Sequence, residues 1–173
     1  MKRYLVLLVV SILSITFAKE QKPFKHQEKI SATLDDYMSI VDKKDIKGML
    51  EYLTIPLDLH FGSDRVLTIG SEQEFMAIFN EWKNSVKSNF HSTKLRSVHI
   101  EQTGIIDNML AVADVTYDRL DENGNTIRTE RALYHLVKGT GYYAKPLKFL
   151  WAFSTRWARK WKIYMISNIA LGK

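Results

Sequence analysis

Three side chains in the second half of the chain could carry acid–base chemistry: Asp114, Arg131 and His135. Asp114 stands in the run LAVADVTYDRL, where its alternate neighbours are mostly apolar. Burial on such a face raises the pKa of a carboxyl group, whereas a neighbouring arginine lowers it. An aspartate in this setting, together with His135 and the more distant Tyr37, could move a proton on a bound molecule.

The same residues also fit a structural role that needs no bound molecule. Asp114 and Arg131 could form an ion pair across two strands, and such pairs perturb side chains without catalysis. Tyr37 and Trp82 occur at helical spacing, which is typical of core residues or of a pocket wall. The sequence favours the ion pair and leaves Asp114, His135 and Tyr37 as candidate catalytic residues.

Other kinds of active site find little support in the sequence. The chain has no cysteine, which excludes disulfides, thiolate catalysis and cysteine-bound metals. No GxSxG motif and no phosphate-binding glycine loop occur. No two histidines are three or four residues apart, although His99 and Glu101 share a strand face and a metal site assembled from distant strands stays open. We expect neither a metal nor a cofactor.

A long hairpin predicted over residues 109–137 positions these side chains. Two β-rich runs flank the turn Asp121–Gly124, whose residues tolerate positive φ. Pairing of the two turn ends places Asp114 opposite Arg131, with His135 further along the same face, although a bulge would shift this register. The opposite face collects small and apolar side chains on which a helix or a second subunit could pack: Ala111, Ala113, Ala132, Tyr134 and Leu136.

The remaining elements follow in an α+β order. Helical spacing predicts helices over residues 28–43, 45–54 and 72–88, the last behind a capping box of Ser71 and Glu74. Strands are predicted over residues 57–61, 65–69, 95–103, 108–120, 126–138 and 161–170. This order predicts helices packed on one face of a curved antiparallel sheet.

Four segments carry a resemblance to a known family: EYLTIPLDLHFG, SEQEFMAIF, AVADVTYDRLDENGN and WKIYMIS. Their order resembles the NTF2-like superfamily, specifically its SnoaL-like branch, over residues 28–138 and 161–170. The resemblance implies a cone-shaped sheet with N-terminal helices closing over a pocket. Members include isomerases, dehydratases, cyclases and many proteins without a known activity. The residues expected to line such a pocket here are Tyr37, Trp82, Asp114, Arg131 and His135.

Residues 139–160 depart from the family pattern, which usually has a short turn between the YHLVK and WKI strands. This insert combines aromatic and basic side chains and contains no carboxylate. Such a surface could contact a membrane or an envelope partner, or it could form a lid over the cone. The candidate contact residues are Tyr142, Tyr143, Lys148, Trp151, Arg156 and Trp157.

The first 18 residues are predicted to form an export signal. Lys2 and Arg3 precede the apolar run of residues 4–17, and Ala18 offers a small residue for cleavage, as in secretory signal peptides. An uncleaved anchor is the alternative, although the run is short for a membrane span. An exported chain without cysteine is typical of a bacterial periplasm. Export also argues against a nucleic-acid partner.

The mature chain is predicted to be one domain, residues 28–173, behind a flexible leader, residues 19–27. The net charge of +6 is unevenly distributed, because residues 131–173 contain nine basic residues and no acidic one. Such asymmetry indicates either an anionic partner or pairing with the acidic first part of the chain.

These patterns predict an exported domain that binds a small apolar ligand, or a protein or membrane partner, without a catalytic role of its own. The alternative is a SnoaL-like isomerase, dehydratase or cyclase acting on a small hydrophobic substrate. A homodimer is compatible with either function, because the alanine-rich face of the hairpin could receive a second subunit.

The export signal predicts cleavage between Ala18 and Lys19. We expect the intact mass of the exported protein to correspond to a chain that starts at Lys19. A mass that retains residues 1–18 would show that the segment is an anchor instead.

Overall fold

The computed structural model describes residues 26–62, 65–103, 109–139 and 160–169, which form three α-helices and one six-stranded sheet. The helices are α1 (Gln27–Asp42), α2 (Ile46–Met49) and α3 (Glu72–Lys83). The strands are β1 (Leu53–Phe61), β2 (Val66–Ile69), β3 (Ser92–Gln102), β4 (Leu110–Leu120), β5 (Thr126–Lys138) and β6 (Trp161–Ile169). A short 3-10 helix, Val86–Ser88, follows α3.

The strands form a curved, unclosed sheet in the order β2-β1-β6-β5-β4-β3. Neighbouring strands are antiparallel except β1 and β6, which are parallel. The predicted α+β class with helices on one face of a curved sheet is confirmed, and the four long strands β3 to β6 pair antiparallel as predicted. The parallel pairing of β1 with β6 makes the sheet as a whole mixed. β1 and β6 are far apart in sequence, so no hairpin turn imposes an antiparallel pairing on them.

The two longer helices begin where their sequences predict them. α1 buries one stripe of side chains, namely Ile30, Leu34, Tyr37, Met38 and Val41. At the start of α3 the Ser71 hydroxyl accepts a hydrogen bond from the amide of Glu74 (3.1 Å). The Glu74 carboxylate accepts one from the amide of Gly70 (2.8 Å), one residue before the N-cap. The predicted capping interaction is thus present, with the glutamate reaching slightly further back than in the usual box.

Two helices are shorter than the sequence predicts. The second is predicted over residues 45–54, but it ends at Met49, and β1 already begins at Leu53. The third is predicted over residues 72–88, but α3 ends at Lys83. Short apolar runs such as that of residues 50–55 suit a helix and a strand alike, so spacing alone does not decide which of the two forms. Behind α3 the chain continues as the short 3-10 helix Val86–Ser88.

The two faces of the sheet differ in burial. On β4 alternate side chains are buried from Ala111 to Tyr117, and Ala132, Tyr134 and Leu136 continue this surface on β5. This inner face packs against the helices, which therefore occupy the alanine-rich surface that the sequence offers to a helix or a second subunit. The intervening side chains are partly exposed and form the outer face.

The strands on either side of the predicted insert are neighbours in the sheet. Lys138 pairs with Trp161, and the amide of Gly139 donates a hydrogen bond to the carbonyl of Lys160 (2.8 Å). The chain therefore leaves the sheet and returns to it at adjacent positions.

Several sequence predictions concern residues outside the described ranges. These are the signal peptide, residues 1–18, most of the leader, and the predicted contact residues Tyr142, Tyr143, Lys148, Trp151, Arg156 and Trp157. Among the helices that the structure does describe, none has both the length and the apolar character needed to cross a membrane.

The assignment of the two faces predicts different sensitivities for two leucines of β5. Leu136 is fully buried, whereas Leu133 lies partly exposed on the outer face. We expect Leu136→Ala to lower the free energy of unfolding by about 2–5 kcal/mol, because it leaves a cavity in the core. Leu133→Ala removes the same atoms and should cost less than about 2 kcal/mol. Denaturant unfolding measures both values, and equal losses would contradict the assignment.

Candidate functional site

A cavity of about 610 Å³ lies between the helices and the inner face of the sheet. Its walls are largely apolar: α3 contributes Ile78, Phe79 and Trp82, and β6 contributes Ile166. The rings of Phe79 and Trp82 are 5.9 Å apart between centroids and form part of an aromatic row. Tyr37 of α1 also lines the cavity. The cavity is thus bordered by apolar side chains of the helices and by the sheet, and it is partly open to solvent.

Three tyrosines stand together on the wall formed by α1 and the sheet. The rings of Tyr37 and Tyr134 meet edge-to-face with centroids 6.2 Å apart. The hydroxyl of Tyr134 is hydrogen-bonded to Tyr117, which is in turn hydrogen-bonded to Glu130. Burial raises the pKa of all three phenols. They therefore stay neutral at physiological pH and act as hydrogen-bonding groups.

Arg119 is a buried charge at one end of the cavity, with 8% of its side chain exposed. Its Nε donates a hydrogen bond to Glu130 (3.2 Å). Its Nη1 lies 3.6 Å from the carboxylate of Asp42 and donates to the hydroxyl of Thr93. Its guanidinium also lies 4.1 Å from the centre of the Phe90 ring. These contacts compensate for lost hydration and join α1, β3 and β5 to β4.

Two further cations lie close to the ring of Phe90. The Nζ of Lys44 lies 3.6 Å from the ring centre, and the guanidinium of Arg128 lies 5.7 Å from it. Burial, helped by Arg119 and Arg128, holds the pKa of Lys44 below its usual value against the opposing effect of Asp42. We define the Phe90 cluster as Asp42, Lys44, Phe90, Arg119, Arg128 and Glu130. It combines three cations with two carboxylates around one aromatic ring.

Glu130 is the carboxylate that this cluster presents to the cavity wall. Burial alone would raise its pKa, but the hydrogen bond from Arg128 (2.7 Å) and the charge of Arg119 outweigh burial and lower it. A carboxylate held ionised in this way is a weak base. Glu130 is therefore suited to orient Tyr117 and the two arginines rather than to remove a proton from a ligand.

The observed pairing of β4 with β5 differs from the predicted register. Asp114 lies opposite Leu133, and Arg131 lies opposite Thr116. The predicted direct opposition of Asp114 and Arg131 is therefore wrong by two residues.

The shift has two causes at the hairpin turn. The turn closes with a hydrogen bond between Asp121 and Asn125 (2.9 Å), whereas the sequence predicts closure at Gly124. The pairing then shifts again between Arg119 and Leu120. Each extra residue moves every later cross-strand partner along the strand.

Asp114 and Arg131 nevertheless form an ion pair on the outer face. The Nε and Nη2 of Arg131 donate to the two carboxylate oxygens at 2.9 and 2.5 Å, along a diagonal between the strands. These hydrogen bonds lower the pKa of Asp114 and keep it ionised. The exposed fractions of the two side chains, 42% for Arg131 and 27% for Asp114, indicate a pair worth about 1 kcal/mol or less.

His135 also lies on the outer face. Its ring meets that of Tyr164 edge-to-face with centroids 6.0 Å apart. Burial, with the nearby His60 adding to it, lowers the pKa of His135. The imidazole is therefore neutral at pH 7.

The structure separates the five residues that the sequence predicts for one pocket. Tyr37 and Trp82 line the cavity. Asp114 and His135 lie on the other side of the sheet, because side chains alternate between its faces. Arg131 borders the cavity but directs its guanidinium to Asp114. The candidate catalytic set of Asp114, His135 and Tyr37 is therefore not assembled in one place.

The charged end of the cavity is missing from the sequence-based prediction. Tyr117 and Arg119 continue the inner face of β4 beyond Ala113, and Glu130 and Arg128 continue it on β5. Extending the alternation from Ala113 towards the turn is the signal that could have found them. Charged residues close to a turn are usually exposed, which hides this signal in the sequence.

In the part of the chain that the structure describes, no group of three or more histidine, aspartate and glutamate side chains could hold a metal ion. His99 and Glu101 do share the outer face, as strand alternation predicts, and their side chains are 3.0 Å apart.

Arg119 and Arg131 should differ in their contributions to stability. We expect Arg119→Ala to lower the free energy of unfolding by about 3–5 kcal/mol, because Asp42 loses its cation in a buried setting. Arg131→Ala breaks a partly exposed pair and should cost about 1 kcal/mol or less. Denaturant unfolding compares the two, and a larger loss for Arg131→Ala would contradict the burial of the Phe90 cluster.

The small contribution of the Asp114–Arg131 ion pair to the stability of the fold should also depend on pH. The pKa of Asp114 is lowered in the folded state, so its stabilising effect is present above the ordinary value of 3.8 and is lost as the pH falls through the folded value. The stability difference between the wild type and Arg131→Ala should therefore shrink in acid. A difference that grows below that pH would contradict the ion pair.

A known family matches most of the chain. The model of a family described as NTF2-like protein (DUF6841) matches residues 27–143. No curated protein matches the chain in sequence.

Solved structures share the fold at low sequence identity. A protein of unknown function with a cystatin-like fold from Nostoc punctiforme has a TM-score of 0.57 at 11% identity, covering 84% of this chain and 91% of that one. A candidate calcium/calmodulin-dependent protein kinase II association domain from Xanthomonas campestris has a TM-score of 0.55 at 14% identity, with coverages of 87% and 91%. A candidate scytalone dehydratase from Novosphingobium aromaticivorans has a TM-score of 0.52 at 9% identity, covering 85% of each chain.

At these identities the solved structures support the fold and not a function. The family match spans α1 to the end of β5, which includes both helical walls of the cavity and the hairpin that carries its charged end. The resemblance to the NTF2-like superfamily is confirmed, and the chain belongs to the NTF2-like protein family DUF6841.

Proposed function

We propose that this chain is an exported NTF2-like domain that binds a small apolar ligand in its cavity and has no catalytic role of its own. The observation that carries the proposal is the apolar, aromatic-lined cavity. Its volume of about 610 Å³ falls within the range of small-molecule sites, roughly 300–1,000 Å³. Its charged groups stand at one end, an arrangement that orients a ligand while its body stays in apolar surroundings.

The ionisable groups beside the cavity support binding over proton transfer. A general acid or base works best when its pKa is near the pH of the reaction. The pKa of Glu130 is lowered by its arginine partners, and burial raises the pKa of Tyr117 and Tyr134 away from neutrality. Asp114 and His135 are on the outer face, away from a ligand in the cavity.

An isomerase, dehydratase or cyclase reaction is the second candidate function. The cluster of Tyr37, Tyr117 and Tyr134 favours it, because neutral phenols could stabilise negative charge that develops on a bound substrate. The Novosphingobium aromaticivorans structure bears the name of a dehydratase, and it shares only the fold with this chain.

Export, a contact surface and a dimer belong to the same proposal. The signal pattern of residues 1–18 and the absence of cysteine support a bacterial periplasm. The aromatic and basic composition of residues 142–160 supports contact with a membrane or an envelope partner. Partly exposed apolar side chains on the outer face, such as Val112 and Leu133, support contact with a second copy. A nucleic acid is not an expected partner of an exported chain.

Native mass spectrometry of the protein purified from its own envelope tests the proposed function, because it reports ligand and oligomer together. We expect a bound apolar molecule in the wild type. Ile78→Trp should lose that molecule, because the larger side chain fills part of the cavity. Asn80→Trp adds the same group to the exposed side of α3 and should retain it.

Two results would contradict this function. Retention of the molecule by Ile78→Trp would show that the cavity is not the binding site. Conversion of the recovered molecule into a new compound by the wild type would favour the enzymatic candidate.

A further inference from the structure

The Phe90 cluster carries more positive than negative charge at the end of the cavity. Its ion pairs are internal: Asp42 with Arg119, and Glu130 with both Arg119 and Arg128. The ammonium of Lys44 donates to two backbone carbonyls, those of Asp42 (2.9 Å) and Phe90 (2.8 Å). Two carboxylates therefore offset three cations, and one positive charge is left in excess.

Arg128 is the member of the cluster that can meet a ligand. Within the described part of the chain, its hydrogen bonds go to Glu130 and to the carbonyl of Lys87. An arginine has more N–H donors than these two bonds use. Its side chain is 31% exposed and borders the cavity, whereas that of Arg119 is nearly enclosed.

Two neighbouring groups make this end of the cavity more favourable for an anion. Lys87 also borders the cavity and adds a positive charge beside Arg128. Glu130 would repel an anion, but Arg119 stays paired with it at 3.2 Å and offsets its charge. The potential at this end is therefore positive, and the apolar side chains of α3 border the same cavity, with the ring of Trp82 centred 6.4 Å from that of Phe90.

We propose that the ligand of this cavity is an apolar carboxylic acid whose carboxylate binds Arg128, with its apolar body against α3. The inference rests on the function proposed above. A carboxylate carries a negative charge, which the positive end of the cavity attracts. The planar carboxylate also fits the fork of a guanidinium, which can donate two parallel hydrogen bonds to it.

Calorimetric titration with octanoate and with 1-octanol tests the head group separately from the apolar body. We expect both probes to bind the wild type at neutral pH. Octanoate should bind about tenfold more tightly than 1-octanol, because a charge-assisted hydrogen bond to Arg128 stabilises its complex by about that factor. Arg128→Gln should lower the affinity for octanoate about tenfold and leave that for 1-octanol unchanged. Higher salt should weaken octanoate binding alone.

Arg96→Gln is the matched control. It removes the same charge from the outer face, where Arg96 pairs with Asp118 at 2.7 Å, and should change neither affinity. The comparison of the two probes on the wild type needs no variant, so the result does not depend on the folding of Arg128→Gln.

Each contrary result has a distinct meaning. Equal affinities of the wild type for octanoate and 1-octanol would overturn the carboxylate inference and leave the proposed apolar-ligand function standing. Octanoate binding that survives Arg128→Gln unchanged would overturn the assignment of Arg128. No binding of either probe would overturn both the inference and the function on which it rests.

Discussion

The buried guanidinium of Arg119 is the contact on which the arrangement of the cavity depends. A charge with so little access to water is tolerated only where carboxylates and acceptors surround it. Asp42 at the end of α1, Thr93 on β3 and Glu130 on β5 supply those groups. A single side chain on β4 thus contacts three other elements, namely α1, β3 and β5. The spacing between helix and sheet, and with it the width of the cavity, depends on an electrostatic contact as well as on apolar packing.

The β4–β5 hairpin presents two chemical environments because side chains alternate between its faces. On the inner face the nearly enclosed Arg119 pairs with the partly buried Glu130 beside Tyr117, where little water screens the charges. On the outer face Asp114 and Arg131 form a well-aligned pair that water screens. The two ion pairs therefore differ in how strongly water screens them, and the inner pair is the one that can influence a molecule bound in the cavity.

Local patterns made much of the fold predictable. The buried stripe of α1, the cap at Ser71 and the long hairpin follow from spacing within short windows. The parallel pairing of β1 with β6 joins segments far apart in sequence and leaves no local signal. The hairpin register could not be predicted, because turn length and a bulge together decide it. The role of Arg119 was missed for a related reason: its burial depends on Asp42, which the chain brings close only after folding.

The hydrogen bond between Gly139 and Lys160 joins the two ends of the twenty-residue segment 140–159 at the edge of the β5–β6 pair. The ends of β5 and β6 are paired in register there, with Lys138 opposite Trp161. The entropic cost of closing such a segment grows slowly, by about 0.6 kcal/mol for each doubling of length. Because this junction fixes both ends of the segment, residues gained or lost between them during evolution would change the entropic cost of its closure only slightly.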